Sequence, residues 1–212
     1  MRAAVIRGEQ RAREFDQTYG VDTAGYIHPT DLALNHPNQV HAVSYGASDP
    51  EDVRTTLASL VIDYRNYTFI DFGSGKGRVI LLASEFPFKQ VIGIEFSAEL
   101  HQIAQSNIDR SSSGLRHCTE VKSINMDAVD YALPDDNLVC YFCNPFDEPI
   151  MRRVVENLHQ SLARRAREII ILYYNAKLGY LFDQSRAFEK VEADSWIRMW
   201  RNAKLTNRDK PC

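Results

Sequence analysis

The spacing of apolar positions changes between helical and strand-like several times from residue 51 to residue 201. Residues 51–62 carry apolar side chains at helical spacing, with Asp49 or Ser48 as the candidate N-cap and Pro50 in the first turn. Beyond residue 66, short β-rich runs alternate with amphipathic stretches. The pattern predicts strands at 67–72, 90–96, 119–124, 138–143 and 168–175, and helices at 77–85, 98–108 and 149–162.

This alternation predicts an α/β fold with a doubly wound, mostly parallel seven-stranded sheet covered by helices. The run 168–175 (EIIILYYN) is apolar through its centre, as expected of a strand buried on both faces. The last two β-rich runs, 188–193 and 196–201, are separated by a short break. They can pair only antiparallel, because a parallel pair needs a long crossover, so we expect the sheet to end on an antiparallel strand.

The amino-terminal 50 residues lack a sustained period and contain turn signals such as His28-Pro29 and Tyr45-Gly46. We therefore predict a lid built from short elements over residues 1–50. The main domain is expected at 51–203, followed by a polar tail at 204–212.

Composition narrows the classes of function and location. The chain has 212 residues, 44% of them hydrophobic, which suits one domain with a substantial core. Its formal net charge of −3 gives no strong signal for nucleic-acid binding. The four cysteines follow no disulfide framework, the amino end is too charged for a signal peptide, and no apolar run reaches membrane-spanning length. These features predict a reducing, cytoplasmic protein without membrane partners.

Three glycines on alternate positions, Gly73, Gly75 and Gly77, follow the predicted strand 67–72, which ends next to Asp71. Glycines here allow positive φ angles and let a ligand touch the main chain, and the next helix offers free N–H groups at its start. An ordinary strand-to-helix turn rarely needs three alternate glycines. We therefore interpret the segment, including Ser74, as a ligand-binding loop at the carboxyl edge of the sheet.

Two familiar phosphate-binding patterns do not fit this loop. The dinucleotide fingerprint requires a glycine where the chain has Arg78, and a P-loop requires Lys-Ser/Thr after its last glycine. The pattern D-x-G-x-G-x-G resembles motif I of the class I S-adenosylmethionine-dependent methyltransferases. The resemblance implies S-adenosyl-L-methionine as cofactor, with Asp71 orienting the loop and the methionine end, and the glycine backbone lying against the cofactor.

Glu95 ends the second predicted strand, in the segment IGIEFS. A carboxylate there can accept hydrogen bonds from both hydroxyls of a ribose, whereas the simpler interpretation is a solvated carboxylate at a strand end. Its position after the glycine loop favours the ribose role. Phe96 is a candidate for the adenine pocket or for the core.

Asp127 and Ala128 follow the third predicted strand. In the family that the loop resembles, an acid at this place accepts a hydrogen bond from the adenine amine, and its neighbours flank the ring. The alternative for Asp127 is a helix cap. The three acids follow the family's order, so the resemblance covers residues 69 to about 146, and the carboxyl third only through its alternation of strands and helices.

Asn144, Pro145 and Phe146 follow the fourth predicted strand and resemble motif IV of amine-directed methyltransferases, although one proline of that motif is missing. The resemblance implies catalytic positioning: the Asn144 oxygen and a nearby carbonyl accept N–H bonds from the acceptor, and Phe146 stacks on it. A plain Asn-Pro turn is the alternative.

The loop sequence GSGKGR with Asn-Pro-Phe also resembles the seven-strand protein-lysine methyltransferases, including the non-SET histone-lysine type. In those enzymes an upstream tyrosine segment packs over the cofactor, which makes Tyr45 and Ser48 candidates; Tyr45 also suits a core aromatic of the lid. Tyr173, Tyr174 and Asn175 are candidates for an acceptor mouth, but strand-end packing is the simpler interpretation.

We therefore expect a methyltransferase that acts on an amine, with protein lysine favoured as acceptor. A methyltransferase of the same fold for a small molecule or RNA is one alternative, and the acidic net charge argues mildly against RNA. A non-catalytic S-adenosylmethionine-binding regulatory module is another. Cys140 and Cys143 lack a partner pair, so packing in a strand is favoured over zinc, and no metal is expected.

Overall fold

The structure is a computed structural model that describes residues 2–32, 37–111, 115–191 and 196–202, with side chains from residue 10 onwards except at residue 37. The predicted tail 204–212 lies outside the described residues. Within the described part of the chain, no helix is long and apolar enough to cross a membrane. The helices are α1 (Arg2–Tyr19), α2 (Pro50–Ala58), α3 (Arg78–Ser84), α4 (Ala98–Arg110), α5 (Glu148–Arg164) and α6 (Tyr180–Asp183).

Nine strands accompany these helices in the described residues. Two short ones, β1 (Tyr26–Ile27) and β2 (Tyr45–Gly46), pair with each other. The other seven form one sheet: β3 (Tyr67–Phe72), β4 (Gln90–Glu95), β5 (Val121–Asn125), β6 (Asn137–Phe142), β7 (Ile169–Tyr174), β8 (Phe188–Val191) and β9 (Ile197–Asn202).

The sheet order is β5-β4-β3-β6-β7-β9-β8. The first five strands in that order run parallel, and β9 lies antiparallel between β7 and β8. The predicted doubly wound sheet and its antiparallel end are confirmed. Because the chain winds outward from β3 to β5 and then returns to the other side of β3, the strand order reverses between β3 and β6, where such sheets bind ligands.

Two apolar clusters bury the two faces of the sheet. One contains Val53 and Leu57 of α2 together with most of α3, and the other contains Met151 and Leu158 of α5. Strand β3 is buried over all six residues, four of which are apolar or aromatic: Tyr67, Phe69, Ile70 and Phe72. The sheet core therefore holds the carboxyl ends of β3, β4 and β6 in a constant geometry.

The amino-terminal segment differs from the prediction of short elements only, because α1 is an 18-residue helix. Sequence period did not reveal α1, since few of its described residues are buried. Phe15 and Tyr19 provide its main apolar contacts: their rings stack at 4.2 Å, and both join the cluster formed by α2 and α3. The remainder of the segment, with β1, β2 and 3-10 turns, consists of short elements as predicted. The domain boundaries themselves stay a prediction.

Candidate functional site

A cleft of about 1000 Å³, a volume that includes solvent at its open mouth, lies at the carboxyl ends of β3, β4 and β6. The segment that joins α1 to α2 forms its other wall. Twelve of the thirteen predicted site residues line this cleft: Tyr45, Asp71, Gly73, Ser74, Gly75, Glu95, Phe96, Asp127, Ala128, Asn144, Pro145 and Phe146. Residues about 100 positions apart in sequence are thus gathered at the point where strand order reverses.

The glycine loop approaches two side chains from other parts of the cleft. Gly73 and Gly75 have φ angles of +74° and +54°, which favour glycine. A Cβ atom on Gly73 would lie 2.3 Å from Cβ of Pro145, and one on Gly75 would lie 2.3 Å from Cε2 of Tyr45. The bare backbone at these two positions is therefore required by the walls of the cleft themselves.

The third glycine has another role. Gly77 (φ +88°) is not among the residues that line the cleft; it precedes α3, and a Cβ there would lie 3.2 Å from Cβ of Ala104. It lets α4 pack closely against the start of α3. Ser74 does line the cleft, and its buried Oγ has no hydrogen-bond partner among the described residues.

Glu95 is folded onto the glycine loop. One carboxylate oxygen accepts the Gly75 N–H at 2.7 Å, and the other accepts the Ser97 N–H at 2.8 Å. Burial raises the pKa of Glu95, and the backbone N–H bonds from Ser97 and Gly75 oppose that rise. These bonds hold the carboxylate at the cleft wall, and a carboxylate retains further acceptor sites beyond two donors.

Asp71 lies beside Glu95 and is only 3% exposed. Burial and the negative charge of Glu95 raise the pKa of Asp71 well above its ordinary value. No described residue donates a hydrogen bond to the Asp71 carboxylate. A buried carboxylate without a donor, next to a second carboxylate, favours a cationic ligand, because a nearby positive charge removes the penalty of ionisation.

Asp127 forms a corner of the cleft with a residue that sequence reasoning missed. Its Oδ1 accepts the Val129 N–H at 3.0 Å within a turn at 128–130 rather than at a helix start, and its Oδ2 accepts the Asn38 side-chain amide at 2.5 Å. Asn38 precedes β2 and also lines the cleft. Phe96, Met126 and Ala128 lie on the same lining and offer apolar surface beside the acid.

Asn144 has a strained backbone and a fully engaged side chain. Its φ angle is +47°, and Asn175 at the end of β7 has the same value. The Asn144 Oδ1 accepts the Tyr173 hydroxyl at 3.1 Å and the Lys177 N–H at 3.2 Å, while its Nδ2 donates to the Asn175 carbonyl at 2.9 Å. In this conformation the amide oxygen joins the ends of β6 and β7, so the role of Asn144 toward an acceptor stays a prediction.

Pro145 and Phe146 contact the two walls of the cleft. Pro145 packs against Gly73, and the backbone of Phe146 forms an antiparallel bridge with Ala42. Phe146 also packs on the apolar cluster of α5. The segment that precedes β2 is therefore attached directly to the Asn-Pro-Phe turn.

Tyr45 projects from β2 into the cleft and presses its ring on Gly75. Its hydroxyl donates to the Thr23 carbonyl at 2.6 Å, and burial raises the pKa of this phenol. Ser48 is also buried in the lining; its Oγ accepts the Tyr141 hydroxyl at 2.7 Å. Both candidates of the upstream segment thus lie at the cleft.

The two basic residues of the GSGKGR loop bind the amino-terminal segment. The Lys76 Nζ donates to Asp22 at 2.9 Å and to the Ala24 carbonyl at 3.2 Å. Arg78 is 2% exposed and donates from Nε to Thr23 Oγ1 at 2.8 Å. Sequence reasoning did not anticipate this, because nothing local to the loop indicates that its bases have partners more than 50 positions away.

The tyrosines of β7 and the two cysteines at 140 and 143 were the remaining candidates for an acceptor mouth or a metal site. Tyr173 is buried in the core, and Tyr174 donates to Asp52 at 3.2 Å; neither lines the cleft. Cys140 is fully buried in β6, and Cys143 lines the cleft as a free thiol. Within the described residues, no group of three potential metal ligands exists.

Residues 69–165 match a family model described as a methyltransferase domain. This range includes the glycine loop, Glu95, Asp127 and the Asn-Pro-Phe turn. No curated protein matches the chain.

Several solved structures share the fold. A predicted N6-adenine-specific DNA methylase from Listeria monocytogenes is 13% identical, with 74% of this chain and 51% of that chain covered and a TM-score of 0.53. A ribosomal protein L11 methylase from Lactobacillus delbrueckii is 15% identical, with 74% and 80% covered and a TM-score of 0.50. A putative methyltransferase from Pseudomonas syringae is 10% identical, with 72% and 96% covered and a TM-score of 0.51. The chain spans about half the length of the Listeria protein.

Proposed function

We propose that this chain transfers a methyl group from S-adenosylmethionine to an acceptor amine. Residues 69–165 match a methyltransferase-domain model, and the fold is shared with a solved methylase structure. The observation that carries the proposal is the single cleft that joins the glycine loop, both buried carboxylates and the Asn-Pro-Phe turn.

The residues of the cleft fit this cofactor. S-adenosylmethionine supplies an electrophilic methyl group on a sulfonium, and its methionine end also bears an ammonium and a carboxylate, so the cofactor is cationic overall. Asp71 lies buried without a hydrogen-bond donor among the described residues, and its neighbour Glu95 is held by backbone N–H groups. We propose that Asp71 faces the cationic end and that Glu95 accepts the ribose hydroxyls.

The rest of the cofactor site follows the order of the sheet. We propose that the backbone of Gly73, Ser74 and Gly75 lies along the cofactor. Phe96, Asp127 and Ala128 would bind the adenine, with Asn38 holding the Asp127 carboxylate at 2.5 Å. Tyr45 would cover the cofactor from the amino-terminal side.

An amine acceptor, with protein lysine first, is our proposal for the other substrate. Methyl transfer is an in-line displacement, so the protein contributes mainly positioning and exclusion of water. The Asn144-Pro145-Phe146 turn supplies backbone carbonyls and an aromatic ring beside the cleft. The negative net charge of −3 suits a cationic lysine better than an RNA backbone. We also propose a reducing, cytoplasmic setting, because Cys118, Cys140 and Cys143 are free thiols.

The decisive experiment uses radiolabelled S-adenosylmethionine and a cell extract, and asks whether label enters protein, RNA or small molecules. We expect label in protein, on lysine after hydrolysis. Label in RNA or small molecules would replace the acceptor proposal and keep the methyltransferase. Binding of S-adenosylhomocysteine without any transfer would indicate a non-catalytic regulatory module.

A matched pair of variants tests the cofactor site by calorimetry. Glu95→Gln removes the acceptor charge and should weaken S-adenosylhomocysteine binding about tenfold or more, since a charged acceptor contributes about 1.5–3 kcal/mol. Glu189→Gln changes an exposed glutamate on β8 and should leave the affinity unchanged. Equal affinities for the two variants would contradict the ribose role of Glu95.

A further inference from the structure

A histidine–aspartate pair lies at the wall of the cleft beside the Asn-Pro-Phe turn. His41 lines the cleft, and its Nδ1 lies 2.6 Å from Oδ2 of Asp147. The two residues are 106 positions apart in sequence. Both side chains are partly accessible, at 30% and 38% of their full exposure, so water and substrate can reach the pair.

The position of this pair is set by contacts on both sides. Ala42, the next residue after His41, forms a backbone bridge with Phe146, the residue before Asp147. Asp147 is the N-cap of α5, with Oδ1 accepting the Ile150 N–H at 3.5 Å. One carboxylate oxygen thus caps a helix while the other contacts the imidazole, which leaves the imidazole oriented by a rigid element.

The hydrogen bond also determines which nitrogen of His41 is available. An ionised carboxylate only accepts hydrogen bonds, so the Nδ1 that contacts Asp147 carries the hydrogen. The neutral ring then has an unprotonated Nε2 that can accept a proton. This arrangement, an imidazole oriented by a carboxylate, is the usual form of a general base in enzymes.

We propose that His41, oriented by Asp147, is the base that takes a proton from the acceptor amine. The inference rests on the proposed amine specificity. A lysine ammonium has no lone pair at neutral pH and must lose a proton before it can attack. Nε2 accepts that proton; the amine lone pair then forms the N–C bond to the methyl carbon, while the C–S bond breaks and its electron pair stays on sulfur. The imidazolium returns its proton to water.

Other titratable groups line the same cleft as His41 and come from different elements. The acids are Asp71 on β3, Glu95 on β4 and Asp127 after β5. The remaining groups are Tyr45, Arg78, Tyr141 and Cys143. Among the described residues, Asp147 is the hydrogen-bond partner of the His41 ring, and burial raises the pKa of Tyr45, Tyr141 and Cys143, which keeps these three protonated at neutral pH.

The pH dependence of transfer distinguishes a base from a structural residue. We expect His41→Gln to lower kcat/KM by about 100-fold at pH 7, within the usual range for general bases. The deficit should shrink steadily toward pH 10, because the lysine then deprotonates without help. His117→Gln changes an exposed histidine away from the cleft and should match the unaltered protein at every pH. A His41→Gln deficit that is constant with pH would overturn the assignment of a base.

Asp147→Asn separates orientation from helix capping, since asparagine also caps helices well. We expect a loss of about tenfold in kcat/KM at pH 7 without a change in Tm. Nitrogen NMR of labelled histidine adds a measurement without turnover: the Nδ1–H tautomer of His41 should predominate in the unaltered protein and lose that preference in Asp147→Asn. An unchanged tautomer ratio would overturn the pairing.

Failure of this inference is separable from failure of the proposed function. If the unaltered protein methylates an amine and His41→Gln does so equally well from pH 6 to 9, only the base assignment is wrong. If the unaltered protein methylates no amine while binding S-adenosylhomocysteine, the acceptor proposal is wrong as well, whatever the variants do.

Discussion

The sheet edge and the amino-terminal segment form opposite walls of one cleft but are held by different forces. Phe69, Phe142 and Ile171 of the sheet are 0% exposed, so apolar burial dominates there. The amino-terminal wall is attached to the loop after β3 by directed polar bonds, from Lys76 to Asp22 and from Arg78 to Thr23. Apolar burial is non-directional, whereas each polar bond requires one geometry.

This difference in attachment predicts which wall of the cleft a single substitution can detach. Removing one apolar group weakens the whole sheet, because its strands share a continuous core. Removing one basic residue of the glycine loop should release the amino-terminal wall while the sheet stays folded. The following four predictions test this contrast, from the largest expected effect to the smallest.

Phe142→Ala should destabilise the entire domain by about 3–5 kcal/mol, since it opens a cavity in the core. The Phe142 ring stacks on Phe72 at 4.9 Å and lies 5.9 Å from Phe182. Urea unfolding followed by circular dichroism should show one shifted transition. Phe142→Leu retains most of the apolar contacts and should lower the free energy of unfolding much less. If the free energy of unfolding of Phe142→Ala falls by less than about 1 kcal/mol, packing in this part of the sheet contributes little to stability.

Arg78→Ala should destabilise the protein by about 2–3 kcal/mol, since it removes charge-assisted bonds from a buried guanidinium. It should also make residues 10–24 sensitive to limited proteolysis while the far-UV signal of the sheet persists. Arg65→Ala is the matched control: the Arg65 side chain is 78% exposed, and its removal should change the stability by no more than about 0.5 kcal/mol. Equal protease resistance of both variants would refute polar attachment of this wall.

Asp71→Asn should stabilise the empty protein by about 1 kcal/mol or more while weakening cofactor binding. Burial raises the pKa of Asp71, so ionisation of this carboxyl in the folded state is unfavourable at neutral pH. The gain from asparagine should be present above the raised folded-state pKa and vanish as pH falls below the unfolded value, where Asp71 is protonated in both states.

Thermal unfolding of Asp71→Asn and the unaltered protein across pH, with calorimetry of cofactor binding, checks both parts. A lower Tm for Asp71→Asn at pH 8 would contradict the proposed electrostatic conflict. Affinity of the unaltered protein for S-adenosylmethionine should fall as pH decreases through the raised pKa, because protonation removes the charge that attracts the cation.

Tyr45→Phe should cost about 0.5–1.5 kcal/mol, the usual contribution of one hydrogen bond, because it removes the 2.6 Å bond to the Thr23 carbonyl. Tyr26→Phe is the control, since Tyr26 is 70% exposed and bonds Ser44 at the surface. Thermal shift measurements should separate the two. An equal effect in both variants would mean that Tyr45 is not a specific attachment of the amino-terminal wall.

Much of the sheet was predictable because its signals are local. Strand 67–72 was predicted to the residue, since it is a short run rich in β-branched and aromatic residues that the glycine loop terminates. The amino-terminal helix α1 was missed, because its attachment depends on Phe15, Tyr19 and polar contacts rather than on a long apolar face. Local pattern reveals elements that bury one whole face and misses those that attach at a few points.

In the candidate site, too, the features that depend on local sequence were predictable and the contacts between distant residues were not. The approach of Pro145 and Tyr45 to the glycines, the side-chain bonds of Asn144 and the His41–Asp147 pair were not predictable. Each depends on residues from different elements that meet only after folding. The roles of the site residues toward cofactor and acceptor stay predictions.

The amino-acid order alone determined the parallel sheet, its antiparallel end and the sheet edge at which the cleft opens, because strand period, glycine conformation and crossover length are properties of short segments. Tertiary structure alone decided which side chains share the cleft and which partners they hold. Charges and hydrogen bonds act over a few ångströms, and only the folded chain brings residues 41 and 147 within that range.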